Sequence, residues 1–365
     1  METNSFTLTD LTIVIPTYER PKLLLRQIRY LSKWQVTIQI VDGSKNILSN
    51  KIREEIKNYK NMTYYHSNKS YVNRIAIAAD RINTRFAMCL AEDDFYLKSG
   101  VIHAINALKA NPKAVACMGQ AIGLDHINNN YYVFKYGNNL QGYSVDQSSA
   151  VKRIQHGLSE YRSATSYAVF QTQIFKQIWK SRKDAACIEL VEYENAINTF
   201  LRGELITVDS VYWVRSFEEP SVTSVIEGSR ENDFHSWFHS NRFADERYEF
   251  KNRILKSFMN NGKISLQDSM KLYEEIIEKI LTKSHNTLIQ KNLRSKLFNY
   301  LTLRIKLNLF LILLKQSDVW INTVRPTINY LLRNKVNKHN LKSNLDFKEV
   351  KNILRFCKNF RKSAY

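Results

Sequence analysis

The first ninety residues alternate between short apolar runs and longer segments whose apolar residues recur at helical spacing. Leu11–Ile15 and Val36–Val41 are runs of strand length rich in β-branched residues, which favour strands. Between them, residues 21–31 carry Leu and Ile at helical spacing and begin with a proline, which suits the first turn of a helix. Ile47–Tyr59 again has helical character. The pattern therefore predicts strand, polar loop and helix as a repeating unit.

The same unit continues up to an acidic triplet at residues 92–94. Met62–Tyr65 predicts a third strand, Tyr71–Arg81 a helix, and Phe86–Ala91 the strand that precedes the triplet. Strands that alternate with helices predict an α/β fold, with a mostly parallel, Rossmann-like sheet flanked by helices. Ligands of such sheets bind beyond the carboxyl ends of the strands. We therefore expect the polar loops after the strands to converge at one edge.

The remainder of the chain predicts further strands and then a helical region. Ala114–Leu124 and Tyr131–Tyr136 flank an Asn-rich turn, which predicts a hairpin. Further elements are expected as strands at Tyr167–Phe170 and Leu205–Val208 and as helices at Thr172–Ser181 and Glu189–Arg202. Beyond that point the chain becomes helical and increasingly basic. We accordingly divide it into residues 1–226 and a basic α-helical region, 227–365.

The formal charge of +20 is concentrated in the last fifth of the 365 residues. From Lys291 onward there are 17 Lys or Arg against three acidic residues, a net charge of +14. Such a region suits nucleic acid, anionic lipid or a polyanionic substrate. No zinc-finger spacing, RNP-like motif or basic region with heptads is present, so nucleic acid is not an expected partner.

One apolar segment of the basic region, Leu297–Leu314, raises the question of a membrane. Arg304 and Lys306 interrupt it, and the uncharged remainder is too short to span a bilayer. Two interpretations stay open: the segment lies on an anionic membrane surface, or it belongs to a helical bundle packed on the first region. The amino terminus lacks the apolar stretch of a secretory signal. We therefore expect a cytoplasmic protein, with a peripheral position at the inner face of the membrane as the alternative.

Cysteine spacing excludes a disulfide framework and a zinc site. The four cysteines are scattered, without a CxxC pair and without histidine at ligand spacing. They predict reduced, mostly buried thiols.

The acidic triplet is the strongest chemical signal in the sequence. Glu92, Asp93 and Asp94 follow an apolar strand, and adjacent carboxylates repel one another unless a cation lies among them. A hard divalent ion carrying phosphates, Mg²⁺ or Mn²⁺, suits this donor set. The plainer interpretation is an acidic cluster that favours a helix dipole.

Three motifs in order resemble a known family. Ile15–Pro21 reads IPTYERP, Val41–Ser44 reads VDGS, and Glu92–Phe95 reads EDDF. They resemble the IPTYNRP, vDgS and DDD or DxD elements of inverting GT-A glycosyltransferases of the family 2 type, and the resemblance covers about residues 11–225. It implies a nucleotide-sugar donor, a divalent cation and a saccharide or lipid-linked acceptor. The usual setting is bacterial surface-polysaccharide or glycolipid synthesis.

The resemblance also implies roles for individual residues. The donor nucleotide is assigned to Pro16, Thr17, Tyr18, Arg20, Asp42 and Ser44. Asp94 is the implied metal ligand, with Glu92 or Asp93 facing the ribose or the metal. Arg74 and Arg215 are candidates for the diphosphate, and each also suits a surface ion pair.

For the catalytic base, the family has an Asp eleven residues before a Gly at the end of a helix. Counting back from Gly203 reaches Glu192, a carboxylate able to accept the proton of an acceptor hydroxyl. Glu189, one helical turn earlier on the same face, is the alternative.

Three other functions stay open. A sugar nucleotidyltransferase also uses metal-binding carboxylates on an α/β sheet, but its usual Gly-rich loop is missing from residues 16–21. Glu92 in place of Asp, and the absence of an ED pair, fit a non-catalytic nucleotide-binding protein. A nucleic-acid-binding protein would account for the basic region alone.

Overall fold

The computed structural model describes residues 8–127, 130–135, 143–159, 161–180, 185–219, 234–284 and 346–363. Within these ranges, nine strands form one sheet and eleven α-helices surround it. The strands are β1 Leu11–Thr17, β2 Thr37–Asp42, β3 Met62–His66, β4 Phe86–Cys89, β5 Phe95–Tyr96, β6 Ala114–Ile127, β7 Asn130–Lys135, β8 Val169–Gln171 and β9 Glu204–Ser216. The helices are α1 Pro21–Leu31, α2 Asn50–Lys57, α3 Tyr71–Asp80, α4 Lys98–Ala110, α5 Ala150–Ser159, α6 Thr172–Lys180, α7 Ile188–Arg202, α8 Phe234–His239, α9 Ala244–Gly262, α10 266–284 and α11 Phe347–Ser363.

The sheet is parallel in its first half and mixed beyond it. The strand order is β3-β2-β1-β4-β8-β6-β9-β5, with β7 paired to β6. The first four strands of this order pair in parallel, as does β6 with β9. Antiparallel pairs join β8 to both β4 and β6, β5 to β9, and β7 to β6. The predicted α/β class with a helical C-terminal region is confirmed, and the parallel part is the one that local periodicity predicted.

Most predicted elements lie within a few residues of the observed ones. The hairpin strands are present as the antiparallel pair β6 and β7. The strand predicted at Leu205–Val208 extends to Ser216 as β9. The sequence analysis did not identify α4, α5 or the two-residue strand β5.

The helices after residue 234 share the core of the sheet region. One cluster of buried apolar side chains runs from β1 to α10 without interruption. Arg253 on α9 forms a bidentate ion pair with the buried Glu194 on α7, at 3.1 and 3.2 Å. The boundary predicted near residue 226 and the apolar segment Leu297–Leu314 both lie outside the described residues.

Helix α11 closes a second, smaller apolar cluster on the sheet. Its Val350, Ile353 and Cys357 are buried against strand residues of β5, β6 and β9. At its first turn, the Glu349 carboxylate accepts hydrogen bonds from the backbone N–H of Lys98, from the Ser99 N–H at 3.2 Å and from the Ser99 hydroxyl at 2.7 Å. A residue of α11 thus satisfies N–H groups that would otherwise lack partners at the start of α4.

Two further expectations concern cysteines and membranes. All four cysteines are buried and none of them forms a disulfide, as predicted. Among the helices in the described ranges, none combines the length and apolarity needed to cross a bilayer.

Glu349→Ala should weaken the contact between α11 and α4. Removing the carboxylate leaves two N–H groups of the first turn of α4 without their acceptor, so the free energy of unfolding should fall by about 1–2 kcal/mol. Urea denaturation of the full chain measures this change. Glu54→Ala is the matched control, because Glu54 forms only an exposed pair with Lys57, and pairs of that kind contribute ~0.5 kcal/mol or less. Equal effects of the two substitutions would contradict the capping role.

Candidate active site

The ends of β1, β2 and β4 meet at one edge of the sheet. Thr17 at the end of β1 pairs with Asp42 at the end of β2, and the Gly43 N–H donates to the Thr17 carbonyl at 3.0 Å. Leu90, just past β4, donates its N–H to the carbonyl of Val14 at 2.9 Å. The loops after these strands therefore converge, as the alternation of strands and helices predicted.

The loop between β1 and α1 is fastened to the end of β2. Pro16 and Thr17 are buried within β1, and Tyr18 is half-buried. Glu19 has a left-handed backbone, with φ of 55°, and donates its N–H to the Ser44 hydroxyl at 2.8 Å. Ser44 therefore holds the loop in place, a contact that the motif alone did not reveal.

Asp42 is fully buried and fixed by two donors. Its exposed fraction is 0%. The Ser44 N–H donates to Oδ1 at 2.9 Å, and the Tyr64 hydroxyl donates to Oδ2 at 2.7 Å. A carboxylate has about four acceptor sites, so these two bonds orient Asp42 and leave it capacity for a ligand. Tyr64 was not a candidate in the sequence analysis.

Arg74 on α3 is a buried cation whose side chain forms no hydrogen bond or ion pair with the described residues. It is 6% exposed, and its Nε has no hydrogen bond. The guanidinium lies directly over Gly43, where an added Cβ would come within 0.9 Å of Nη1. Burial lowers the pKa of Arg74, while Asp42 and Glu92 act in the opposite direction. A buried charge without a hydrogen-bonded partner is costly, so this position suits a bound anion.

The acidic turn, Glu92–Asp94, presents two carboxylates to one cation. Arg20 Nη1 lies 2.9 Å from Asp93 Oδ2 and 3.6 Å from Glu92 Oε1. Glu92 is buried, and its Oε1 accepts no hydrogen bond. Burial, and then repulsion by Asp93, raises the pKa of Glu92 to about 8. Glu92 and Asp93 therefore converge on a point where positive charge is favourable.

Asp94 faces β9 instead. The Trp213 indole N–H donates to its Oδ2 at 2.9 Å, and the Ser216 N–H donates to its Oδ1 at 2.8 Å. Burial, and then the charge of Asp93, raises the pKa of Asp94 above its ordinary value. Both oxygens of Asp94 have internal partners that tie the turn to β9, so the metal role expected for Asp94 stays a prediction, and Asp93 is a second candidate for that role.

Helix α1 supports the acidic turn from behind. Arg26 donates from Nη2 to the Asp93 carbonyl at 3.0 Å, and Gln27 donates from Nε2 to the Asp94 carbonyl at 2.7 Å. Both side chains are buried, and the sequence analysis missed both. A signal was available for Gln27, because it lies three residues after Leu24 on the apolar face of α1.

Glu192 on α7 and Asp94 both act on the pKa of the buried Tyr167, whose ring stacks on that of Trp213 with centroids 4.8 Å apart. Burial, and then the charge of Glu189, raises the pKa of Glu192 to about 7. The positive charge of Arg215 acts in the opposite direction and offsets part of the rise in the pKa of both Glu192 and Asp94. One cation thus lies within electrostatic range of both carboxylates.

Glu189, the alternative base, has a structural contact. Its Oε2 accepts a hydrogen bond from the N–H of Phe234, the first residue of α8, at 3.0 Å. Glu189 therefore ties α7 to α8, while Glu192 carries the raised pKa. This difference favours Glu192 as the base.

The acidic turn offers a metal ion two carboxylates, those of Glu92 and Asp93. In the ranges that the structure covers, no three His, Cys, Asp or Glu side chains form a group that could hold an ion by themselves. Mg²⁺ commonly takes one or two carboxylates together with substrate phosphates. Glu92, with its unpartnered oxygen, and Asp93 fit that arrangement.

Comparisons with known proteins give structural likeness only. No family model matches the chain, and no curated protein matches it. A crystal structure of S. aureus TarS 1–349 is 12% identical over 74% of this chain and 72% of its own, with a TM-score of 0.49. Another crystal structure of S. aureus TarS is 12% identical over 74% of this chain and 43% of its own, with a TM-score of 0.48. The structure of TarS 1–349 with UDP is 14% identical over 73% and 70%, at 0.48. Likeness of this extent assigns no function to the chain.

Asp94→Asn and Asp93→Asn should differ in their effect on stability. An amide at position 94 would turn its NH₂ group towards the N–H of Trp213 or of Ser216, so we expect a loss of about 1–3 kcal/mol in the free energy of unfolding. Asp93→Asn loses only the pair with Arg20 and should cost ~1 kcal/mol or less. Urea denaturation without added metal measures both values. An Asp94→Asn variant as stable as the wild type would contradict the structural role.

Proposed function

We propose that the protein is a glycosyltransferase that moves a sugar from a nucleotide-sugar donor to an acceptor hydroxyl. The observation that carries this proposal is Arg74, a buried cation that lies over Gly43 without a partner in the described structure and near both Asp42 and Glu92. A site that combines an anion position, an acidic turn and a carboxylate of raised pKa suits transfer from a diphosphate leaving group.

The donor nucleotide would bind between the β1 loop and the end of β2. Asp42, held by Tyr64 and Ser44, has acceptor capacity for polar groups of the nucleoside, and Tyr18 borders the same space. Arg74 would donate to the diphosphate, and its charge would offset the negative charge that develops as the leaving group departs. Arg215 is a second cation near Asp94 and Glu192.

Glu92 and Asp93 would hold the divalent ion. Mn²⁺ or Mg²⁺, when bound there, would supply Lewis-acid stabilisation of the leaving group. Arg20 lies within 4 Å of both carboxylates, so its positive charge offsets part of their negative charge. Asp94 serves this site indirectly, because it anchors the turn to β9 through Trp213 and Ser216.

Glu192 would act as the general base. The acceptor hydroxyl gives its proton to the Glu192 carboxylate, its oxygen forms the new bond to the anomeric carbon, and the bond from that carbon to the diphosphate oxygen breaks with its electron pair. Attack from the face opposite the leaving group inverts the anomeric carbon. With a pKa of about 7, Glu192 is matched to proton transfer near neutral pH.

The acceptor and setting follow from charge only in outline. Lys348, Lys351, Arg355 and Lys358 are all exposed on α11, and their spacing places them on one face of the helix. This face supports a saccharide or lipid-linked acceptor presented at an anionic membrane surface. A cytoplasmic enzyme working in bacterial polysaccharide or glycolipid synthesis is consistent with it.

A donor panel with an Arg74 variant tests the function. UDP-, GDP-, dTDP- and CMP-sugars are added with and without Mn²⁺, and we expect one of them to raise the melting temperature and to be hydrolysed slowly with metal. Arg74→Met should raise the Kd for that donor by about 10- to 100-fold, because a charged hydrogen bond contributes about 1.5–3 kcal/mol. Calorimetric titration of the donor measures Kd.

Arg81→Met is the matched control for that experiment. Arg81 follows α3, is exposed, and lies over the Tyr65 ring at 4.0 Å, so its loss should leave donor binding unchanged. A protein that responds to no donor would contradict the proposed function. Release of pyrophosphate in place of a nucleoside diphosphate would identify a nucleotidyltransferase.

The pH dependence of transfer tests the base. Glu192 accepts a proton only when ionised, so the rate should rise with pH through about 7. Glu189→Gln removes a negative charge that raises the pKa of Glu192, so the inflection should move to lower pH while transfer persists. Glu192→Gln should reduce kcat by ~100-fold or more and spare donor binding. Loss of transfer in Glu189→Gln with normal transfer in Glu192→Gln would reverse the assignment.

A further inference from the structure

Three side chains of α1 donate hydrogen bonds to backbone carbonyls in the segment that carries the acidic turn. Arg26 donates to the Asp93 carbonyl at 3.0 Å, Gln27 to the Asp94 carbonyl at 2.7 Å, and the Tyr30 hydroxyl to the Tyr96 carbonyl at 2.7 Å. These bonds fix the backbone of the segment without using the carboxylates of the turn. The direction of the Asp93 side chain is therefore set from α1.

Arg26 is the charged member of this group, and its side chain is almost completely buried. It is 3% exposed. Its Nη1 pairs with Glu218 Oε1 at 2.6 Å, and its guanidinium lies 4.9 Å from the centre of the Phe95 ring. Burial opposes its charge, but Glu218 and other neighbours raise the pKa of Arg26 above its ordinary value, so it remains a cation.

Glu218 closes a ring of contacts around the turn. Besides Arg26, its Oε1 accepts from the Ser216 hydroxyl at 3.2 Å. The Ser216 N–H donates to Asp94 Oδ1 at 2.8 Å. The ring thus passes from the Asp93 carbonyl through Arg26, Glu218 and Ser216 to the Asp94 carboxylate. A displacement of any member would move the turn.

Stability alone does not account for this ion pair. A buried pair often contributes no more stability than apolar residues of similar size, and Arg26 Nε is left without a partner. The pair uses two different nitrogens for two different acceptors, a geometry that a lysine cannot reproduce. Its location at the acidic turn is what distinguishes it.

We infer that Arg26 is a positioning residue that, with Glu218, holds the backbone of Asp93 so that the Asp93 carboxylate faces the donor site. This inference rests on the proposed function, because it assigns Asp93 to the divalent ion. It predicts that Arg26 governs metal affinity and turnover and leaves the nucleotide pocket at Asp42 and Arg74 unaffected.

The test compares Arg26→Lys with the wild type in the full chain. Calorimetry first measures the Kd of whichever of UDP, GDP, dTDP or CMP stabilises the wild-type protein, without metal. Mn²⁺ is then titrated into the protein saturated with that nucleotide, and kcat and KM are measured with the matching donor. Arg26→Lys should raise the Kd for Mn²⁺ and lower kcat by about 10- to 100-fold each. The metal-free nucleotide Kd should change by less than ~2-fold.

Two further variants keep the outcome clear. Gln27→Met replaces the donor of the neighbouring bond to the turn with an apolar side chain of similar size, and it should also raise the Kd for Mn²⁺. This variant tests the inference if Arg26→Lys fails to fold. Arg29→Lys is the control, because Arg29 lies on the same helix and pairs with Glu55 at 2.6 and 2.9 Å, away from the turn. It should leave Mn²⁺ affinity and kcat unchanged.

Each result decides between the two proposals. Transfer by the wild type with unchanged Mn²⁺ affinity and kcat in Arg26→Lys and Gln27→Met overturns the positioning role and leaves the proposed function standing. A loss of nucleotide binding in proportion to metal binding assigns Arg26 a general structural role and also overturns the inference. A wild type that binds none of the nucleotides removes both proposals.

Discussion

The site depends on how three adjacent carboxylates are accommodated at the end of a buried strand. Burial, and then repulsion by Asp93, raises the pKa of Glu92 to about 8. The surrounding side chains accommodate the three residues differently: Asp94 is bonded to β9, Asp93 and Glu92 share Arg20, and Glu92 Oε1 has no hydrogen bond. Within three residues, Asp94 thus anchors the turn to β9, and Glu92 and Asp93 face a cation.

The arginines around the turn divide in the same way. Arg26 is neutralised by Glu218, and Arg20 by the carboxylates that it faces. Arg74 has no such pair in the described structure, although Asp42 and Glu92 favour its charge from nearby. Two of the three cations are therefore held by ion pairs, and the third keeps its donors available for an anion. This arrangement favours binding of an anion without rearrangement of the surrounding backbone.

The sequence predicted what local patterns determine. The alternation of strands and helices up to residue 91, and hence the shared edge of β1, β2 and β4, follows from periodicity within about ten residues. Long-range contacts decided the rest. Asp94 is separated from Trp213 by 119 residues and from Ser216 by 122, so no motif could show that its oxygens were taken. Leu205–Val208 and Val211–Val214 are both strand-like in sequence, but the polar residues between them gave no sign that they form one continuous strand, β9.

Helix α11 has a consequence for how the chain acquires its structure during synthesis. Lys98 and Glu349 are 251 residues apart, yet their contact completes the start of α4. While the ribosome makes the intervening segments, Phe95 and Ile122 lack the cover that Val350 and Ile353 later provide. Loop closure over such a distance is slow relative to local helix formation. The apolar face that Phe95 and Ile122 form beside the acidic turn can therefore be covered only after residues 350–353 have been synthesised.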